Sequence, residues 1–268
     1  MEWPLEVALA RPVTQLPTGP SWAYEIKVDG HRTVLWRTTD DVRLQSRTGR
    51  DVTALWMDLA VAAMSLPPGV ILDGEAVVYL AADDGTVHIS FAAAQSRALS
   101  RPSRARELAD QHPATYVAFD VLAHPAAGFP DLRPRPYSER RQVLLDVLAD
   151  VGPPIEPVWS TTDRDEALLW YTALEGTGVE GIVAKPLSSA YKASRIWCAN
   201  CTFSVSLDKA MPDPQGEVGR IYTAARSRGE RPPPPASGPS PRWRPVTPGM
   251  PSSTRLVMSL SPSARTRA

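Results

Sequence analysis

Trp22-Ala23-Tyr24-Glu25-Ile26-Lys27-Val28-Asp29-Gly30-His31-Arg32 is the stretch from which the rest of the chain is read. Trp22, Tyr24, Ile26 and Val28 alternate with Ala23, Glu25, Lys27 and Asp29, the period of a half-buried β-strand, and Gly30 interrupts it. Lys27 and Asp29 then point to the same side, about 6.5–7 Å apart. The chain has 25 arginines and only four lysines, so a lysine beside a carboxylate and a glycine stands out. A guanidinium stays protonated and cannot attack an electrophile. An amine can, once its surroundings lower its pKa. Taken alone, the segment admits two readings: a nucleophilic lysine ordered by a carboxylate, or a surface lysine–aspartate pair. Gly30 lets the backbone turn or a ligand approach. Arg32 adds a fixed charge suited to phosphate or ribose oxygens.

Working outward, residues 33–36 and 42–47 read as two further strands joined by the Asp40-Asp41 turn. Residues 54–64 are helix-like and stop before Pro67-Pro68. Residues 70–79 are strand-like on both sides of a polar break, and Asp83-Asp84-Gly85 signals a hairpin turn. Residues 91–99 predict a helix, and 116–122 a buried strand. Ser138 is expected to cap a helix running to about 150, and Asp163 to open another ending near 175. Residues 181–185 form a short strand. Antiparallel sheet with flanking helices is an α+β class.

The formal net charge is zero, but unevenly spread. Residues 212–268 hold nine arginines and three acids, about +6, and 12 of the 28 prolines. Such composition cannot offset its ordering entropy and predicts a disordered tail. No apolar run approaches the ~18–20 residues that span a bilayer. Met1-Glu2-Trp3-Pro4-Leu5-Glu6 lacks the basic start of a secretory signal, and two cysteines suggest a reducing, cytoplasmic setting. Cys198 and Cys201 have no second pair to complete a zinc site.

Four more segments carry chemistry. Ser46-Arg47-Thr48-Gly49-Arg50 is a polar turn that suits a phosphate or a solvated hairpin end equally. Asp73-Gly74-Glu75 sets two acids in an apolar strand, so they either turn to water at a bend or are buried, paired or metal-bound. Phe119 is either core or the floor of a base-binding slot. Glu180-Gly181-Ile182-Val183-Ala184-Lys185 puts an acid and a lysine five apart, hence on opposite faces unless a bulge at Gly181 intervenes.

Together these segments read K-x-D-G-x-R, S-R-x-G, D-G-E, F-D-x-L and E-G-x-V-x-K in order. From about Leu9 to Trp197 this resembles the covalent nucleotidyltransferases, and most closely the bacterial ATP-dependent DNA ligases. The resemblance implies an ATP-grasp-like adenylation domain over 1–197, with ATP and Mg²⁺ (or Mn²⁺). It implies that Lys27 takes AMP as a phosphoramidate, helped by Asp29, with Glu25 and Ile26 at the adenine edge. Arg32 would contact the ribose or 5′-phosphate and Arg47 the phosphate side. Glu75 would reach the ribose and, with Glu180, the metal. Phe119 would stack on adenine and Lys185 hold the α-phosphate. The implied partner is nicked or broken double-stranded DNA, sealed during repair by a monomer alongside other repair proteins.

The family then has a tryptophan-containing strand with two alternate lysines, followed by a small OB-fold barrel. Here Trp197 is followed by Cys198-Ala199-Asn200-Cys201, with no lysine before Lys209, and no strand pattern for a barrel. Residues 198–268 therefore read as foreign to the fold, as a shifted reading frame in a G+C-rich gene would produce. Two alternatives stay open: a nucleotide- or DNA-binding remnant impaired in catalysis, and an RNA ligase or capping guanylyltransferase with the same lysine chemistry.

Overall fold

In the computed structural model the described residues are 1–83, 85–174, 176–193 and 203–206. The strands are β1 (Arg11–Pro12), β2 (Trp22–Val28), β3 (His31–Arg37), β4 (Val42–Ser46), β5 (Ile71–Ala81), β6 (Val87–Ile89), β7 (Ala114–Ala123), β8 (Ile155–Pro157), β9 (Ser160–Thr161), β10 (Val179–Pro186) and β11 (Phe203–Ser206). The helices are α1 (Met57–Ala62), α2 (Phe91–Ala98), α3 (Pro102–Gln111), α4 (Tyr137–Leu148) and α5 (Arg164–Ala173). One sheet runs β1-β11-β10-β2-β9, and the second runs β4-β3-β5-β7-β8 with β6 paired to β5. Most pairings are antiparallel; β1–β11 and β7–β8 are parallel. The α+β expectation therefore holds.

The alternation read in Trp22–Val28 is what separates core from cleft. Tyr24 packs with Ile182, Ala184 and Ala167 under α5. Glu25, Lys27, Val183 and Lys185 instead line a cavity. In the second sheet Leu35, Leu44, Leu72 and Tyr116 join Trp56, Leu59 and Leu144 in the main core. The chain crosses between the sheets at Asp29-Gly30. There a Cβ on residue 30 would lie 2.6 Å from the Ala76 carbonyl oxygen, so Gly30 is required for strand packing while it also lines the cavity.

Several local expectations change. The 54–64 segment is broken: 3₁₀ turns at Thr53–Leu55 and Ala63–Ser65 flank the short α1. Ser138 caps nothing. Pro136 occupies the N-cap of α4, and the Ser138 amide donates to the Leu187 carbonyl at 3.0 Å. Asp163 does cap α5, accepting from the amides of Asp165 and Glu166. Helix α3 has no counterpart in the sequence reading, because only Ala105 is buried and no apolar stripe marks it. The 70–79 strand is continuous as β5, with Asp73-Gly74 at a register shift against β7 rather than a break.

A strand also lies beyond Trp197, where none was expected. β11 pairs antiparallel with β10, Ile182 opposite Val205. The rest of the proline- and arginine-rich tail, the 197/198 boundary and Cys198 and Cys201 lie outside the described residues.

Gly74 offers a test of the sheet packing. A Cβ there would lie 2.5 Å from the Val117 carbonyl oxygen and 2.7 Å from Tyr116 Cζ. Gly74→Ala is expected to destabilise the protein by about 1–3 kcal/mol, as overpacked sites do. Thermal unfolding checks this, and a melting temperature equal to wild type would contradict the packing.

Candidate active site

The cavity between the sheets has a volume of about 1050 Å³. It is lined by every residue singled out in the sequence: Glu25, Ile26, Lys27, Asp29, Arg32, Arg47, Glu75, Phe119, Glu180 and Lys185. Residues from 25 to 185 thus converge because β2, β3, β5, β7 and β10 each present one face to the same space.

The difficulty with Glu180 and Lys185 is resolved by a bulge. Val179 pairs with Val28 and Gly181 with Lys27, which leaves Glu180 as the extra residue. Gly181 adopts a φ of 154°, a backbone that glycine tolerates best. The bulge turns Glu180 onto the Lys27 amine, with which it forms an ion pair. Downstream of it, the regular alternation carries Lys185 into the cavity.

Lys185 sits deep, 7% exposed. Its amine lies 2.7 Å from Glu25 Oε2 and donates to the Phe119 carbonyl at 2.8 Å. It also lies 4.8 Å from the Tyr137 ring centroid and 5.1 Å from that of Phe119. The other Glu25 oxygen accepts from the Tyr137 hydroxyl. Burial, then the Glu25 charge, pushes the Tyr137 pKa well above the ordinary phenol range. Glu25, Lys185, Tyr137 and Phe119 therefore form one connected end of the cavity.

At the other side Arg32 is clamped. Its Nε and Nη2 each donate to Asp73 at 2.7 Å, and Nη2 also donates to the Ala8 carbonyl at 3.2 Å. Its guanidinium carbon lies 4.4 Å from the Phe119 ring centroid, a cation–π contact. Burial works against this charge, but Asp73 more than offsets it and holds the arginine protonated. Asp73 is fully buried and also accepts from Tyr191 Oη at 2.6 Å. Asp120, beside Phe119, accepts from Arg140 Nε at 2.7 Å and Nη2 at 3.0 Å. Asp73 and Asp120 are thus both buried and paired.

Glu75 differs. Its Oε2 is shielded from solvent and has no hydrogen-bond partner among the described residues. Burial pushes its pKa up to about 8; Asp73 and Glu180 also raise it, while Arg32 and Lys27 lower it. No group of three His, Cys, Asp or Glu is poised to hold a metal among the described residues. Mg²⁺, however, commonly uses one or two carboxylates together with substrate phosphates and water. The unpartnered Glu75 oxygen, with Glu180 in the same cavity, fits that pattern.

Reading the sequence missed Asp73 as the partner of Arg32, and Tyr137, Tyr191 and Arg140 altogether. An acid within an apolar strand was the available signal for Asp73. The two tyrosines and Arg140 gave none.

A family profile described as "ATP dependent DNA ligase domain" matches residues 9–198. The chain belongs to the ATP-dependent DNA ligase family. DNA ligase C2 of Mycolicibacterium smegmatis is 40% identical over 193 residues, covering 72% of this chain and 52% of that protein. DNA ligase C of Mycobacterium tuberculosis is 38% identical over 197 residues, with coverages of 72% and 52%. A solved structure, mycobacterial DNA ligase D complexed with ATP and MES, superposes with a TM-score of 0.55 at 29% identity, covering 75% of this chain and 58% of that one. The chain thus spans about half the length of these curated ligases. Its two-sheet architecture is that of the ligase nucleotidyltransferase domain. No helix among the described residues is long and apolar enough to cross a membrane.

The buried Asp73 is the charge whose loss the ligase domain should tolerate least. Asp73→Ala would strand Arg32 without its counter-ion and is expected to cost about 3–5 kcal/mol. Tyr191→Phe removes one of several donors and is expected to cost about 1 kcal/mol. Denaturant unfolding of both variants gives the comparison. Equal stability of the two would argue against the Arg32–Asp73 clamp.

Proposed function

We propose that this chain carries the adenylyl-transfer step of an ATP-dependent DNA ligase, with Lys27 as the nucleophile. The observation that carries the reading is the Lys27 amine on the wall of the cleft, beside Glu180 and facing the same cavity as the unpartnered carboxylate of Glu75. The amine attacks the α-phosphorus of ATP, a P–N bond forms, the bond to pyrophosphate breaks, and the amine's protons are shed. Asp29, just past the end of β2, helps order the amine. Glu180 holds it in place beforehand and is its nearest proton acceptor.

The adenine lies at the end built by Phe119, Glu25 and Ile26. Phe119 offers its ring for stacking, and Glu25 and Ile26 meet the edge of the base. Arg32, fixed by Asp73, contacts the ribose or, later, the DNA 5′-phosphate. Arg47 lies on the phosphate side. Lys185 adds positive potential toward the α-phosphate while pairing with Glu25. Glu75 and Glu180 would hold Mg²⁺ or Mn²⁺, whose chemistry there is to withdraw charge from the phosphates. The adenylyl group then passes to the 5′-phosphate of nicked or broken double-stranded DNA, and attack by the 3′-hydroxyl seals the strand and releases AMP. A monomer working in cytoplasmic DNA repair with other repair proteins fits this reading.

One observation favours a weaker alternative. β11 reads Phe203-Ser204-Val205-Ser206 and brings no cation beside β10. Each missing electrostatic contact to a transition state typically costs about 10²–10³ in rate. A binding remnant that holds ATP without transferring AMP would then result.

Mass spectrometry after incubation with ATP and Mg²⁺ separates the two. Adenylate on Lys27, absent from Lys27→Arg and after EDTA treatment, is expected. Arginine keeps the charge but cannot attack, so residual labelling of that variant would exclude Lys27 as the nucleophile. ATP binding with no label on the wild type would select the remnant. Competition by GTP equal to that by ATP would point to capping-type chemistry instead.

A further inference from the structure

Charge matching in the cleft leaves one lysine unexplained. Lys27 faces Glu180, Arg32 faces Asp73, Arg140 faces Asp120 and Lys185 faces Glu25. Burial holds the His31 imidazole below its ordinary pKa, so that ring is neutral near pH 7. Of the basic side chains lining the cavity, Arg47 and Lys192 remain. Both are exposed, and neither has an ion-pair partner among the described residues.

The stem of Lys192 is nevertheless fixed. The preceding residue, Tyr191, is 9% exposed and packs with Leu5, Val7 and Trp36. Its amide donates to the Arg133 carbonyl at 2.8 Å, its hydroxyl donates to Asp73 at 2.6 Å, and it accepts from the Ala8 amide at 3.0 Å. Lys192 is thus an exposed charge lining the cleft, next to the anchored residue that steadies Arg32's partner.

We propose that Lys192 binds the β- and γ-phosphates of the nucleoside triphosphate. This rests on the adenylyl-transfer reading and adds a residue to it. In-line attack by Lys27 sends the leaving pyrophosphate to the side of the α-phosphorus opposite Lys27, and Lys192 is an exposed cation lining the same cavity. The charges agree. A triphosphate carries about −4 at neutral pH because its terminal group has a second pKa near 6. A divalent cation cancels about half of that. Arg47 and Lys192 together supply the rest, whereas Lys27, Arg32, Arg140 and Lys185 are each already paired with a carboxylate. AMP, lacking those two phosphates, gives Lys192 nothing to hold.

The test compares α,β-methylene ATP, which cannot pass on its adenylyl group, with AMP, by calorimetry on the full chain with Mg²⁺. Lys192→Ala is expected to weaken triphosphate binding about tenfold and AMP binding by less than about twofold, with Lys192→Arg restoring the difference, as a charged hydrogen bond would. An unchanged ratio of triphosphate to AMP affinity in Lys192→Ala, with wild type binding the triphosphate, overturns the assignment of Lys192 alone. Wild type binding neither nucleotide overturns this inference and the adenylyl-transfer reading together.

Discussion

Burying a charge without a counter-charge is the constraint that shapes this cleft. An isolated ion in a protein interior costs several kcal/mol, which an ion pair recovers only with good geometry. Asp73, Asp120 and Glu25 are at most 4% exposed, and each is met by a cation: Arg32, Arg140 and Lys185. Two of these pairs are bidentate, the geometry in which arginine does best. The partners come from different strands and helices, so the pairs also lock β3 to β5, β7 to α4, and β10 to β2. The fold and the site share one set of interactions. Glu75 is the exception, and an exception of this kind in a cavity is where an external cation is most useful.

The bulge at Glu180 is the second device. Without the extra residue, strict alternation would turn either Glu180 or Lys185 out of the cleft. With it, β10 delivers a carboxylate to Lys27 and an ammonium to Glu25 from the same face. Gly181 makes the irregular backbone possible. One glycine therefore lets a single strand serve both ends of the site.

Much of this was legible in the sequence because it is local. The alternation in Trp22–Val28 assigns Lys27 to the cleft face, and the Glu180-Gly181 pair hints at the bulge. Asp163 shows its capping role beside its own helix. What was not legible depends on distance along the chain. Asp73 meets Tyr191 across 118 positions, and Glu25 meets Tyr137 across 112. No spacing rule links such pairs. Helix α3 was invisible for the opposite reason: it is so exposed that it needs no apolar period. Ser138 was misread because Pro136 ahead of it supplies the extended entry that a capping side chain would otherwise enforce. β11 was missed because four residues of alternating Phe, Ser and Val are too short to register beside a proline-rich stretch.

The same charge pairing bears on how the site must work. An ammonium held by a carboxylate is the wrong state for attack on phosphorus, since its lone pair is engaged by the proton. On the adenylyl-transfer reading the Lys27–Glu180 pair, which is only part-buried, is therefore a resting arrangement. By contrast the Arg32–Asp73 and Arg140–Asp120 pairs are deep and would be costly to open. This division assigns the pairs different tasks. On the adenylyl-transfer reading, the deep ones would hold the frame in which base and ribose are received and would stay closed throughout. The shallow one would then open when the triphosphate and its counter-ion arrive, because both would compete for the charges that now satisfy each other. The same reading would make the cleft firm where it recognises and yielding where it reacts, because the ion pairs lie at different depths from water.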